Sequence, residues 1–302
     1  TETVEEKLKR VLGSVHKVGT KMIVSQTDRL RSYNSNAMDA LALKFFQDVG
    51  FEKGSDPGML QRRAQREGIW MNRLQKLFDG TTKVEQQTAL NELRLRRAAS
   101  PLALEIRKFL DQMEKYLSAA EVKRWTPGGW VALQKVANYF PRRWDSAKIK
   151  DRETEFRTLL ALHGAKDIDL IVKALTEGDG ISDLAESEHH LGFTPQFANA
   201  NVRTLDDVVR KDLAAFAEFQ NDNLLGTMGI YVQRAVHRAE YARDFGNNGE
   251  KIKEAFEQAA REGLTPEQLA EAAKTVRGLE GTLGNDIDPK WKKLSSMILT
   301  AE

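Results

Sequence analysis

The sequence predicts an all-α protein, a globular array of about ten to twelve helices with a long N-terminal helix and little or no sheet. Three observations predict this class. Apolar residues recur at helical spacing between nearly all breaks, no segment alternates apolar and polar residues long enough to require a strand, and only seven prolines occur in 302 residues. A chain of this length can bury about 75% of the surface that its unfolded form exposes, so we expect an adequate core.

The first helix is predicted from a stripe of apolar residues that alternates spacings of four and three, formed by Val4, Leu8, Val11, Val15, Val18 and Met22. So narrow a stripe favours a single long partner helix. That partner is either a helix of the same chain or the same helix of a second copy, which would give self-association through residues 4–22. Residues 1–50, with a second helix at 38–49, are predicted to form an N-terminal helical arm.

Residues 51–203 are predicted to form a central helical domain, set apart by the glycine- and proline-containing break at 50–58. Its predicted helices are 59–78, 83–98, 101–118, 148–162 and 166–177. Ser100 and Pro101 mark one start, as N-cap and first helical residue. Residues 130–145 concentrate aromatic side chains and are predicted as an ordered, partly buried turn, because Pro141 keeps Phe140 out of the helical region. Residues 180–203 are predicted as an extended surface loop.

Residues 204–302 are predicted to form a C-terminal helical subdomain with helices at 221–244, 250–262, 265–281 and 288–300. Thr204 precedes two acidic residues that suit a helix N-terminus, and Gly246 follows Phe245 as an end signal. Thr265-Pro266-Glu267-Gln268 is a plain helix start.

Charge and composition exclude several classes of function. Forty-six basic and forty-four acidic residues leave a formal charge of only +2, whereas a protein that holds polyanions by charge alone is usually far more basic. The absence of cysteine excludes disulfides, thiolate zinc sites and thiol catalysis. No apolar run is long enough to predict a transmembrane helix.

A search for catalytic motifs yields no catalytic residues, no metal ligands and no cofactor. The phosphate-binding loop, the dinucleotide fingerprint and the nucleophile elbow are all missing from the sequence. Glu186 and His189 have the spacing of a metal-binding pair, but a di-iron bundle needs two such motifs and two further carboxylates.

Arginines occur in three clusters, formed by Arg62, Arg63 and Arg66, by Arg94, Arg96 and Arg97, and by Arg142 and Arg143. Two interpretations stay open. The clusters are solvated helix faces with acidic neighbours, or folding brings them together as a surface that binds nucleic acid. The last pair differs because it lies between Phe140 and Trp144, where a guanidinium can stack on an aromatic ring.

Four segments, in this order, resemble the helical regions of phage internal virion (ejection) proteins and of the related large polyvalent proteins. They are Asn138–Asp145 with Tyr139, Phe140, Pro141 and Trp144; Arg203–Asp207; Tyr231–Gly246 with Arg234, Arg238, Glu240 and Phe245; and Gly281–Pro289. The resemblance covers residues 138–302 and does not extend to residues 1–130.

The resemblance implies a non-enzymatic helical module that is packaged in the capsid and delivered with the genome. Its location would be the virion interior and then the host cell, and its partners other segments of a larger phage polypeptide or other virion proteins. Thr1 in place of Met fits an internal piece of such a chain. Three alternatives stay open: a module that binds nucleic acid such as DNA, an adaptor or inhibitor of a host protein, and an enzyme whose polar groups would lie in 180–203, namely Asp183, Glu186, Glu188, His189 and His190.

Overall fold

The computed structural model describes residues 23–47, 57–126, 129–132, 138–177, 205 and 208–279. The chain is mostly helical with almost no sheet, which confirms the predicted all-α class. The heptad stripe at 4–22, the loop at 180–203 and the helix at 288–300 lie outside the described residues.

The chain divides into two compact units, Thr1–Gln61 together with Gly249–Glu302, and Arg62–Asn248. This division differs from the predicted boundaries after residues 50 and 203. The predicted C-terminal subdomain is split, because its longest helix belongs to the Arg62–Asn248 unit.

The first unit contains helix α1 at residues 23–31 and helix α2, Asn36–Phe45. From the C-terminal part of the chain it contains the helices that we number α11, Glu250–Arg261, and α12, Pro266–Leu279. Ser35 caps α2, since its Oγ accepts a hydrogen bond from the Met38 amide. The same hydroxyl donates to Glu262 Oε2 at 2.6 Å, which ties the end of α11 to the start of α2.

Helix α2 ends before the predicted residue 49, because Phe46 adopts an extended conformation. Gly58 explains part of this local structure. A Cβ atom at Gly58 would lie 2.7 Å from the Phe45 carbonyl oxygen and from Phe46 Cα, so only glycine allows the two backbones to approach so closely.

The second unit contains two hydrophobic cores. The first belongs to the principal lobe, which we define as the described residues of 62–140 and 224–248. Its helices are α3, Met59–Phe78; α4, Lys83–Arg94; α5, Pro101–Ala119; and α10, Leu224–Phe245. Among the side chains that fill its core are Trp70, Leu74, Leu90, Ile106, Phe109, Met113, Phe140, Val232 and Val236.

Local signals account for most helix ends in the principal lobe. Thr82 and Glu85 form a capping box at the start of α4, and this helix stops before the predicted residue 98 because Arg96 has a positive φ of 58°. Ser100 is the N-cap of α5 as predicted, but its hydroxyl does not cap the helix. The Ser100 hydroxyl instead donates to Glu92 Oε2 at 2.8 Å, and this carboxylate also accepts hydrogen bonds from the backbone amides of Ala99 and Ser100.

A short hairpin follows α5 and was not predicted. Strand β1, Lys123–Thr126, pairs antiparallel with β2, Gly129–Ala132, so that Thr126 faces Gly129. The two described strands have four residues each, which agrees with the expectation of little or no sheet.

The second core belongs to the inserted lobe, which we define as the described residues between 144 and 219. Its helices include α6, Ser146–Asp151; α7, Glu153–Leu162; α8, Ile168–Glu177; and α9, Leu213–Ala217, and residues 208–211 are helical as well. The single helix predicted at 148–162 is wrong, because the backbone at Arg152 leaves the helical region (φ −118°, ψ 39°) and separates α6 from α7.

Candidate functional site

The most unusual side chain among the described residues is Glu240, which lies near the C-terminal end of α10 and is fully buried, at 0% exposure. A buried carboxylate is costly unless donors surround it. Tyr116 Oη donates to Glu240 Oε1 at 2.6 Å, and Arg243 Nη1 donates to the same oxygen at 2.6 Å. Arg62 Nε donates to Oε2 at 3.1 Å. Both carboxylate oxygens therefore have partners.

The network continues beyond Glu240. The second nitrogen of the Arg62 fork, Nη2, donates to Asp244, one turn further along α10. The guanidinium carbon of Arg243 lies 5.1 Å from the centre of the Tyr116 ring, and that ring packs against Trp70 at 5.6 Å. Two arginines thus face two carboxylates, and their formal charges cancel.

Burial raises the pKa of the Tyr116 phenol, and the hydrogen bond to the Glu240 carboxylate raises this pKa further. The phenol therefore stays protonated and acts as a hydrogen-bond donor over the whole neutral range. Since Arg62 lies on α3, Tyr116 on α5 and Glu240 on α10, the network joins three helices of the principal lobe.

The structure brings together two of the segments that carry the phage resemblance. The rings of Tyr139 and Tyr231 lie 6.0 Å apart, centre to centre. Phe140 is buried in the same core as Val232 of α10, and Arg107 of α5 donates to the Tyr139 carbonyl oxygen. Tyr139 and Phe140 of the predicted aromatic turn are thus packed onto the first half of α10.

The remaining motif residues are placed as follows. Pro141 is buried, and Trp144 is buried in the inserted lobe, with its ring centre 5.5 Å from that of Phe156. Arg234 is half-buried, and Arg238 donates to the Lys123 carbonyl oxygen of the hairpin. Phe245 is the buried last residue of α10, and Gly246, with φ 82°, ends that helix as predicted.

The eight arginines proposed for nucleic-acid binding differ in their surroundings. Arg62 binds Glu240 and Asp244, and Arg94 is buried against Asp222. Arg63 is paired with Glu67, and burial lowers the pKa of its guanidinium. Arg66 and Arg97 are exposed, whereas Arg96, Arg142 and Arg143 are half-buried. Asn221 joins two of the clusters, because its carbonyl oxygen accepts from Arg94 and its amide donates to the Arg143 carbonyl oxygen.

Sequence reasoning did not assign roles to Tyr116, Lys148, Asp222 and Asp244. One signal was available for Glu240 itself. It lies four residues after Val236 and eight after Val232, on a stripe of α10 that is otherwise apolar, so its carboxylate had to meet donors inside the core.

The described residues hold no group of three or more histidines, aspartates and glutamates that could bind a metal ion. None of the described helices is both long and apolar enough to cross a membrane. Glu186 and His189, with the other polar groups of the 180–203 segment, lie outside the described residues.

Comparison of the chain with protein-family models, with curated proteins and with solved structures finds no match. The resemblance to phage virion proteins is therefore a prediction that no relative tests.

Proposed function

We propose that this chain is a non-enzymatic helical module of a phage internal virion protein, packed in the capsid and delivered with the genome into the host cell. The observation that carries the proposal is the contact between Tyr139 and Tyr231, with Phe140 in the core beside Val232. Residues from two separate segments of the resemblance thus meet in one core. Segments that define a fold in this way are those that a family of helical modules would retain.

The buried network supports a scaffold role for the principal lobe. A general base needs an oxygen that can face a substrate, whereas both oxygens of Glu240 already accept hydrogen bonds from Tyr116, Arg243 and Arg62. These contacts hold α3 and α5 against α10. The partners of such a scaffold would be other segments of a larger phage polypeptide or other virion proteins.

Peptide mass spectrometry on purified particles of the phage whose genome encodes the chain tests this proposal. We expect peptides of residues 1–302 in intact particles, and their depletion after triggered DNA release in vitro. Peptides of the major capsid protein, which stays with the shell, are the internal control. Absence of the chain from particles, together with its presence in infected or uninfected cells, would overturn the virion assignment and favour an adaptor of a host protein.

A further inference from the structure

The chain passes between the two lobes of the Arg62–Asn248 unit at two places. It leaves the principal lobe after Phe140 and enters the inserted lobe at Trp144, and it returns between Phe219 and Leu224. Each of the two cores is filled by its own residues, so the lobes can change their relative position without either core being opened.

The two crossings lie side by side. Trp144 and Gln220 form an antiparallel bridge. The Asp145 amide donates to the Phe219 carbonyl oxygen at 2.9 Å, and the Asn221 amide donates to the Arg143 carbonyl oxygen at 2.8 Å. Two short segments that run side by side between two lobes, joined by a few hydrogen bonds, have the geometry of a hinge, since a few backbone torsions there can reorient a whole lobe.

Asp222 carries one cation from each lobe at this crossing. Arg94, at the end of α4 in the principal lobe, has a side chain only 5% exposed, and its Nη1 lies 3.1 Å from Asp222 Oδ1. Lys148, on α6 in the inserted lobe, has its Nζ 2.5 Å from Asp222 Oδ2. Both cations also bind the neighbouring backbone, Arg94 at the Asn221 carbonyl oxygen and Lys148 at the Gln220 carbonyl oxygen.

We propose that the inserted lobe moves as a body about this pair of crossing segments, and that Asp222 holds the closed arrangement by binding Arg94 and Lys148 together. The contact between α9 of the inserted lobe and α4 of the principal lobe is the packing that opens. Removal of the Asp222 charge leaves the buried guanidinium of Arg94 with neutral oxygen acceptors and no anion, which favours the open arrangement. This inference does not depend on the proposed function.

The lack of cysteine in the chain allows a direct distance measurement. Val84 on α4 and Leu162 at the end of α7 are 75% and 76% exposed, one in each lobe. The double variant V84C/L162C, spin-labelled at both thiols, reports the separation of the lobes by pulsed electron paramagnetic resonance. We expect one dominant distance in this parent, and a second, longer population in D222N, with an open-to-closed ratio raised by about tenfold.

The matched control is E218Q, the same type of change four residues away, which removes a contact of Arg152 within the inserted lobe. We expect its distance distribution to match that of the parent. K148Q removes the more exposed cation and keeps the Arg94–Asp222 pair. It is the test variant if D222N does not fold, and we expect it also to show the longer distance. If the folded D222N and K148Q variants give the same distance distribution as the parent, the proposed hinge is wrong. If E218Q shifts the distance distribution as much as D222N does, the proposed role of Asp222 is wrong.

Discussion

The phenol of Tyr116 donates a hydrogen bond to the fully buried carboxylate of Glu240 at 2.6 Å, and the two residues come from α5 and α10. The contact is charge-assisted, since the acceptor is an anion that burial has removed from water. Arg243 contributes to both partners at once, as a donor to the carboxylate and as a cation near the phenol ring.

Replacement of Tyr116 by Phe tests the strength of that contact. The variant keeps the ring packed on Trp70 and removes only the hydroxyl, so one donor to the buried carboxylate is lost. We expect Y116F to lower the free energy of unfolding by about 1–3 kcal/mol, measured by urea denaturation. Tyr33, whose hydroxyl makes no hydrogen bond among the described residues, gives the control Y33F, which should change stability by less than about 0.5 kcal/mol.

Alkaline pH should weaken the fold through the same phenol. Burial and the Glu240 carboxylate raise the pKa of Tyr116 in the folded chain, whereas the unfolded chain titrates near the ordinary value of about 10. The stabilisation is thus fully present below pH 10 and is lost as pH rises toward the folded pKa. One pH unit above 10, the loss due to Tyr116 should be at most about 1.4 kcal/mol, because solvent screens a phenol that is only half-buried. Urea denaturation of the parent and of Y116F at pH 9 and pH 11 measures this loss, which is the extent to which the parent is destabilised more than Y116F by the rise in pH. An equal loss of stability in the two proteins would contradict the prediction.

Removal of the Glu240 charge should be far more costly than removal of a surface carboxylate. In E240Q, the half-buried Arg243 and Arg62 lose the anion that they share at the edge of the core, although Asp244 still pairs with Arg62. We expect a loss of about 3–5 kcal/mol in the free energy of unfolding. The control is E257Q at an exposed position of α11, expected to be close to neutral. A small effect of E240Q would show that the charge balance of the network is not what stabilises the three helices.

Acidic pH should release the connection between α4 and α5. The amides of Ala99 and Ser100 hold the pKa of Glu92 below its ordinary value, so its contribution is present above the unfolded pKa and is lost as pH falls through the folded one. We expect the free energy of unfolding to differ less between pH 6 and pH 3 in E92Q than in the parent. Chemical denaturation at the two values measures this, and the exposed Glu257→Gln variant, which should keep the full difference, is the comparison.

Local signals made the long helices predictable. The predicted bounds of the helix at 59–78 are those observed, because Gly58 precedes α3 and Asp79-Gly80 follows it. The predicted end of α10 at Gly246 also agrees with the structure. These signals depend on residues within one or two turns, which a sequence displays directly.

The arginine roles could not be predicted, since their partners are remote in the sequence. Arg62 and Glu240 are 178 positions apart, and Arg94 and Asp222 are 128 positions apart. The acids next to these arginines in the sequence suggested solvated helix faces, whereas the fold supplies Arg62 and Arg94 with acids from distant parts of the chain. The break at Arg152 was missed for a related reason, because the apolar spacing continues across it while the backbone turns.

The side-by-side ends of the inserted lobe make it a removable cassette. Arg143 and Asn221 are hydrogen-bonded neighbours, so a short linker can replace the residues between them without a change in the path of the chain through the principal lobe. Phe140 and Leu224, which flank the crossing, both belong to the principal core and keep their positions. Such a layout allows a lineage to lengthen, shorten or exchange one piece of a chain while the rest of it keeps its shape.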